Sequence, residues 1–233
     1  MRRWFPALAT LLVLTAASPA SGSATPFTVC IGFEDTEAGD LDYNDFGMAM
    51  TLDETVDAAG ALARVEMAFE ALVNLGGDVH DIHVARRFSP DTRYRVTVRR
   101  SRPGRGTETP ETTVPFDGAG DLDVRLFDTE HVARGDTVTV VVDVVRSAEA
   151  PVDGPRVFED VYDPWMFDRT TGIARHVGDV QAFGATDAAV PFVLVLPCRR
   201  WEPVGEYATI TDAYPDFASF FLTGDARFAR WFE

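Results

Sequence analysis

Between residues 34 and 45 the chain carries Glu34, Asp35, Asp40, Asp42, Asn44 and Asp45, a run of side chains that can offer oxygen to a hard cation. Calcium takes about six to eight oxygen ligands, mostly carboxylate and carbonyl, so the residue types suit it. Packing this many acids together is costly, because like charges repel and raise each other's pKa, and a divalent ion removes that cost. Asp40, Asp42 and Asn44 occupy the first three ligand positions of an EF-hand loop. The match ends there: Asp45 stands where the turn glycine belongs, and Thr51 where the closing glutamate belongs. The expectation is therefore a calcium loop that is not an EF-hand, with Asp40, Asp42, Asn44 and Asp45 as the leading ligands and Glu34 and Asp35 next. Zinc prefers nitrogen and sulfur and suits the set less well. Two other readings stay open, a solvated acidic loop and a turn in which the acids bind backbone amides.

Other chemistry has weaker support. His80 and His83 are three apart on an expected strand, so they point to opposite faces and make a poor metal pair. His131 and His176 are isolated. There is no Gly-x-Ser-x-Gly elbow, no His-Glu-x-x-His and no phosphate-cradling glycine loop. Paired acids could serve glycoside hydrolysis, but an acidic β protein holds many such pairs. Tyr162, Trp165, Phe167 and Trp201 could form a stacking platform for sugar rings, or could pack the core as large aromatics usually do.

The formal net charge is −16, with arginine carrying every positive side-chain charge and lysine absent. A field of that sign repels nucleic acid and anionic lipid and suits a collector of cations. The start of the chain has its own pattern. Arg2 and Arg3 precede an apolar run from Trp4 to Ala17, and small residues fill Ser18 to Ala24. This is the layout of a secretory leader, with cleavage after Ala24, or after Ala20 as the second choice. The run is short of the ~20 residues of a membrane span, and no later segment is long and apolar enough for insertion. Export to the periplasm, the outer surface or the medium would favour a disulfide between Cys30 and Cys198, the alternative being two buried thiols.

The elements that must hold the acidic segment read as strands. From Ala61 to Val73 every odd position is apolar, while Arg64, Glu66 and Glu70 fall on even ones. That period of two predicts a strand with one buried face, although Val65, Phe69, Leu72 and Val73 also fit a helix. The same alternation marks Tyr94–Val98, Leu122–Leu126 and Val138–Val144. Short apolar runs add Phe27–Phe33, Phe46–Leu52, Val79–Ala85, Val157–Tyr162 and Val190–Leu196, the spacing of a sandwich or barrel. Residues 101–120 and 147–155 read as surface loops. Only the tail predicts a helix, with Thr211 as N-cap, Pro215 in the first turn and Gly224 at its end. The fold class expected is all-β: an antiparallel, jelly-roll-like β-sandwich with one short C-terminal helix, as a single domain over residues 25–233.

The stretch Phe33-Glu34-Asp35…Gly39-Asp40-Leu41-Asp42-Tyr43-Asn44-Asp45-Phe46 resembles the opening motif of the LruC domain family, also called DUF4842. The long alternating strand after it, Asp163-Pro164-Trp165-Met166-Phe167, and Ile210-Thr211-Asp212-Ala213-Tyr214-Pro215-Asp216-Phe217 are similar to later landmarks of that family. The likeness spans most of residues 25–233, and departs between Gly172 and Pro197, where the family's polar insert is shortened. It implies a secreted or surface-attached bacterial protein of β-sandwich type with no known catalytic activity. The function expected is a calcium-binding, non-enzymatic interaction module that meets a cell-surface protein or polysaccharide. The alternative is a carbohydrate-binding module or glycan-active enzyme using Tyr162, Trp165 and Trp201.

Overall fold

The computed structural model describes residues 22–23, 25–35, 41–103, 111–112, 115–147, 149–151, 161–182, 189–198, 202–205 and 208–230. Fifteen strands are found among them. They are β1 (Gly22–Ser23), β2 (Phe27–Phe33), β3 (Phe46–Val56), β4 (Leu62–Val73), β5 (His80–Arg86), β6 (Arg93–Ser101), β7 (Glu111–Thr112), β8 (Phe116–Ala119), β9 (Leu122–Asp128), β10 (Thr137–Arg146), β11 (Tyr162–Asp168), β12 (Ala174–Arg175), β13 (Val180–Ala182), β14 (Ala189–Pro191) and β15 (Val193–Pro197). The larger sheet runs β15-β2-β3-β4-β10-β6-β7, with β1 against the end of β3 and β8 beside β6. The smaller sheet runs β12-β11-β5-β9, and β13 and β14 form a separate ribbon. Neighbours pair antiparallel throughout, in keeping with short connections between successive strands.

The alternation in the sequence explains the layers. In β4 the apolar residues Val65, Met67, Phe69 and Ala71 are buried while Glu66 and Glu70 lie on the other face. In β5 and β9, Ile82, Val84, Leu122, Val124 and Leu126 turn inward. These side chains from both sheets form one continuous core, so the chain is an antiparallel β-sandwich. A second cluster lies beside it, made of Cys30, Leu41, Tyr43, Val190, Leu194, Leu196, Val204, Ile210 and Phe217. The Cys30–Cys198 disulfide joins β2 to the end of β15 at this cluster, with a Cα separation of 4.8 Å.

Several boundaries differ from expectation for local reasons. The run Val190–Leu196 is broken at Phe192, which caps Glu34 N–H through its carbonyl (2.9 Å) and lies under the Arg175 guanidinium. Residues 101–120 are not a single loop, since β7 and β8 both pair with β6. The tail divides into α1 (Ile210–Ala213) and α2 (Asp216–Thr223), with Thr209 rather than Thr211 at the N-cap. Pro215 has no N–H to continue the first helix, so it opens the second. Gly224 ends that helix at φ 64°, where glycine carries no Cβ penalty. Tyr162 and the 163–167 landmark form β11, while residues 157–160 lie outside the described residues. Residues 1–21 and Ala24 of the expected leader also lie outside them, whereas Gly22 and Ser23 pair with Val56 and Thr55.

Candidate metal centre

The acidic segment connects β2 to β3 at one end of the sandwich. Its described residues are 34–35 and 41–45, and the latter stretch is folded by two left-handed residues, Leu41 (φ 54°) and Tyr43 (φ 53°). For a non-glycine residue that conformation costs roughly 1–2 kcal/mol. It sends Leu41 and Tyr43 into the second apolar cluster, where Tyr43 meets the Phe217 ring at 6.0 Å and donates its hydroxyl to Pro191 O at 2.6 Å. Ile210 N–H donates to Leu41 O at 3.0 Å, so the tail helix holds the loop from behind.

With the apolar residues turned one way, the acids turn the other. Glu34, Asp35 and Asp45 offer carboxylate oxygens that all lie within 4.8 Å of one another. Ligands around one calcium ion lie at most about 5 Å apart, twice the Ca–O distance, so this spacing fits a shared cation. Glu34 is 1% exposed. Asp35 N–H donates to Asp45 Oδ2 at 2.7 Å, which ties the end of β2 to the start of β3. Gly76 N–H donates to Asp45 O, and a Cβ on Gly76 would meet Asp45 Cβ and Oδ1 at 3.1 Å. That close approach is why glycine suits the position.

The electrostatics are unfavourable for anions. Burial and the charges of Glu34, Asp35 and Asp42 push the Asp45 pKa up to about 8, offset only in part by the Asp35 N–H. Burial, and then the Glu34 charge, also hold the Tyr43 hydroxyl above its ordinary range. A divalent cation would reverse the first of these penalties.

Asp42 and Asn44 are fully buried beside the three acids but serve each other. Asp42 accepts from Asn44 N–H (3.1 Å) and from Asn44 Nδ2 (2.6 Å), and Nδ2 also donates to Val204 O (2.9 Å). They brace the loop, and Asp42 adds negative charge at Asp45. Asp40 lies outside the described residues. The sequence ranks Asp42 and Asn44 ahead of Glu34 and Asp35, whereas the geometry puts Glu34 and Asp35 beside Asp45.

One neighbour is absent from the sequence-based set. His80 is fully buried, and its Nε2 lies 3.3 Å from Asp35 Oδ2. Its strand parity carried the signal: Ile82 and Val84 turn inward on β5, so His80 must turn inward too.

The aromatic platform is dispersed. Tyr162 is completely buried, and its hydroxyl donates to Glu54 inside the sandwich, so it does not reach a surface. Trp165 is half-buried on the outer face of the smaller sheet. Its ring stacks with His83 at 4.1 Å, from the β5 side, and with His176 at 5.1 Å, from the β12 side. Trp201 lies outside the described residues. No helix among the described residues is long and apolar enough to cross a membrane. No family model, no curated protein and no solved structure matches this chain.

Proposed function

We propose that this protein is an exported, non-enzymatic β-sandwich that binds calcium between β2 and β3 and serves as a surface or extracellular interaction module. The observation that carries the reading is the convergence of Glu34, Asp35 and Asp45 at a site where Asp45 is hard to ionise. Acids of one sign that approach within ligand distance are relieved by a retained proton or by a hard cation, and one cation serves all three at once. The disulfide supports an oxidising location, and the leader-like start and the resemblance to the LruC family agree with export. Calcium abundant outside the cell would pin the loop to the sandwich and keep the end of the molecule rigid.

The carbohydrate-binding alternative draws less support. Sugar rings stack on open aromatic faces, and both sides of Trp165 are flanked by imidazoles.

Calorimetric titration with calcium tests the reading. Wild type should bind one ion, and Asp45→Asn and Asp42→Ala should each weaken or abolish the heat signal. Wild type giving no binding after prior chelation, with metal analysis also showing no bound ion, would rule the site out.

A further inference from the structure

The two sheets part at the C-terminal end of β6, and the alternation along that strand marks the place. Tyr94, Val96 and Val98 turn inward and are buried, and the next inward position holds Arg100. An arginine on the core face needs a reason, since its charge is costly to take out of water. Arg100 is half-buried, faces Val138 across the ladder to β10, and donates Nη2 to Arg125 O at 2.7 Å. That bond crosses from the larger sheet to β9, the edge strand of the smaller one. It fixes the guanidinium at the wall of a cavity of about 370 Å³ between β6, β9 and the start of β10.

The charge around this cavity is opposite to that of the chain as a whole. Arg102, exposed just beyond β6, also lines it and has no ion pair among the described residues. The two acids of the lining are engaged elsewhere. Asp128 Oδ2 is met by Arg125, Arg169 and His131 at 2.8, 3.0 and 3.3 Å. Asp136, 4% exposed, accepts from Ala133 N–H at 3.1 Å within its own turn. Among the described residues, Arg100, Arg102 and Arg125 therefore line the cavity against two acids that already have donors.

We infer that this cavity binds a small, hydroxyl-rich organic acid of the sugar-acid class, its carboxylate held by Arg100 and Arg102. The guanidinium fork matches the two oxygens of a carboxylate. The rest of the lining decides what the carboxylate is attached to. Leu126, Phe127 and Val138 are at most 5% exposed, so they form a floor that offers little apolar surface. Ser101 and Thr137, opposite each other in the β6–β10 ladder, and the exposed His131 border the opening. A lipid-like acid would find little to cover its chain, whereas a polar one meets groups that hydrogen-bond. The net charge of −16 repels anions, the more so the more charge they carry, which favours a single carboxylate over phosphate or nucleotide. The volume falls within the usual range of small-ligand sites, roughly 300–1,000 Å³. The cavity shares no residue with Glu34, Asp35 and Asp45, so the inference does not rest on the metal reading.

Calorimetric titration in EDTA with glucuronate, and in parallel with a polyuronate, tests this, the chelator removing any carboxylate contact made through a metal. Wild type should bind at least one of the two, and which one tells whether the acid arrives free or on a polymer. Arg100→Gln and Arg102→Gln should each weaken that binding at least about tenfold, the worth of a charge-assisted hydrogen bond. Arg99→Gln removes the same unit charge from the exposed outer face of β6 and should leave the affinity within about twofold of wild type. No binding of either uronate at millimolar concentration would overturn the inference. Equal weakening by Arg99→Gln would overturn it too, by making the effect one of net charge. Glucose or inorganic phosphate binding as tightly as the uronates would overturn the assigned ligand class. Should Arg100→Gln fail to fold, the exposed Arg102→Gln decides, and unchanged affinity there would overturn the inference.

Discussion

The inward face of β5 carries a titratable group at each end, and the two ends handle buried charge in opposite ways. At one end Arg86, 1% exposed, donates Nε to the Tyr162 hydroxyl (2.8 Å), Nη2 to Glu54 (3.0 Å) and Nη1 to Glu149 (3.2 Å). Its guanidinium also lies 4.1 Å from the centre of the Phe88 ring. Burial works against the Arg86 charge, but Tyr162 and Glu54 raise its pKa overall. Glu149 likewise ends below its ordinary pKa despite burial, held by Ser89 N–H, Thr92 and Arg86. At the other end, roughly 20 Å along the strand, Glu34, Asp35 and Asp45 converge, with Asp42 beside them. The charges that act most on Asp45 are all negative.

Both ends lie between the same two sheets, and each buries charged side chains. The difference is that one end carries its cation in the polypeptide, while the other, on the proposed reading, would take it from solution. An arginine makes a permanent closure. A metal site makes one that depends on the compartment, and the Glu34–Asp45 end would be rigid only where the ion is plentiful.

The disulfide gives the largest way to probe this contrast. It closes a separation of 168 residues, for which the chain-entropy model gives up to about 5 kcal/mol. The double variant Cys30→Ser, Cys198→Ser should lose most of that in chemical denaturation. Because Cys30 belongs to the cluster behind the acidic loop, amide exchange should rise first at Leu41 and Ile210, before it rises around Arg86. Equal loosening at both ends would erase the distinction.

Arg86→Met strands Glu54 in the core, and should cost about 3–5 kcal/mol in denaturant unfolding. Adding Glu54→Leu should recover much of that loss, because the charge and its partner then leave together. At the acidic end no polypeptide cation among the described residues pairs with Asp45, so its charge is relieved by a retained proton or, on the proposed reading, by a metal ion.

The pH dependence should also separate the ends. In chelator, folded Asp45 keeps its proton up to about pH 8, whereas the unfolded side chain loses it near pH 4. Between these values the folded state binds more protons than the unfolded state, so stability falls as pH rises through that window. The loss should amount to a few kcal/mol, about the scale of a several-unit shift. Asp45→Asn should flatten the profile, and saturating calcium should do the same to wild type. Thermal melts from pH 4 to pH 8 check both.

The smallest effect should come from charges that water already screens. Arg169 bonds Asp81 and also lies 3.0 Å from Asp128, at a partly exposed site. Arg169→Ala should change stability by no more than about 1 kcal/mol, and less in high salt.

Much of the framework was legible in the sequence because alternation survives wherever one strand face is buried. The span Leu62–Val73 emerges almost residue for residue from that pattern, whereas Phe27–Phe33, buried on successive residues, emerges from its apolar run. What failed was local. Pro191 and Phe192 divide one apolar run between two sheets, and Pro215 divides one helix into two, through backbone geometry that periodicity does not register. At the site, residue types pointed to an acidic cluster but not to which of its members converge. Asp40, Asp42 and Asn44 matched the opening ligand positions of an EF-hand loop, whereas the left-handed turns at Leu41 and Tyr43 let Asp42 and Asn44 bond each other. His80 arrives from a strand more than thirty residues along the chain, so nothing in the acidic segment itself points to it.

The central claim is that the acidic end lacks only its cation, and thermal unfolding in EDTA and in millimolar calcium tests it most directly. A ligand at 100 times its Kd adds roughly 2.7 kcal/mol to the folded state. The midpoint should therefore rise by several degrees in calcium, and Asp45→Asn should abolish the rise. Identical midpoints in EDTA and calcium, for protein shown by metal analysis to be free of bound ion, would contradict the account.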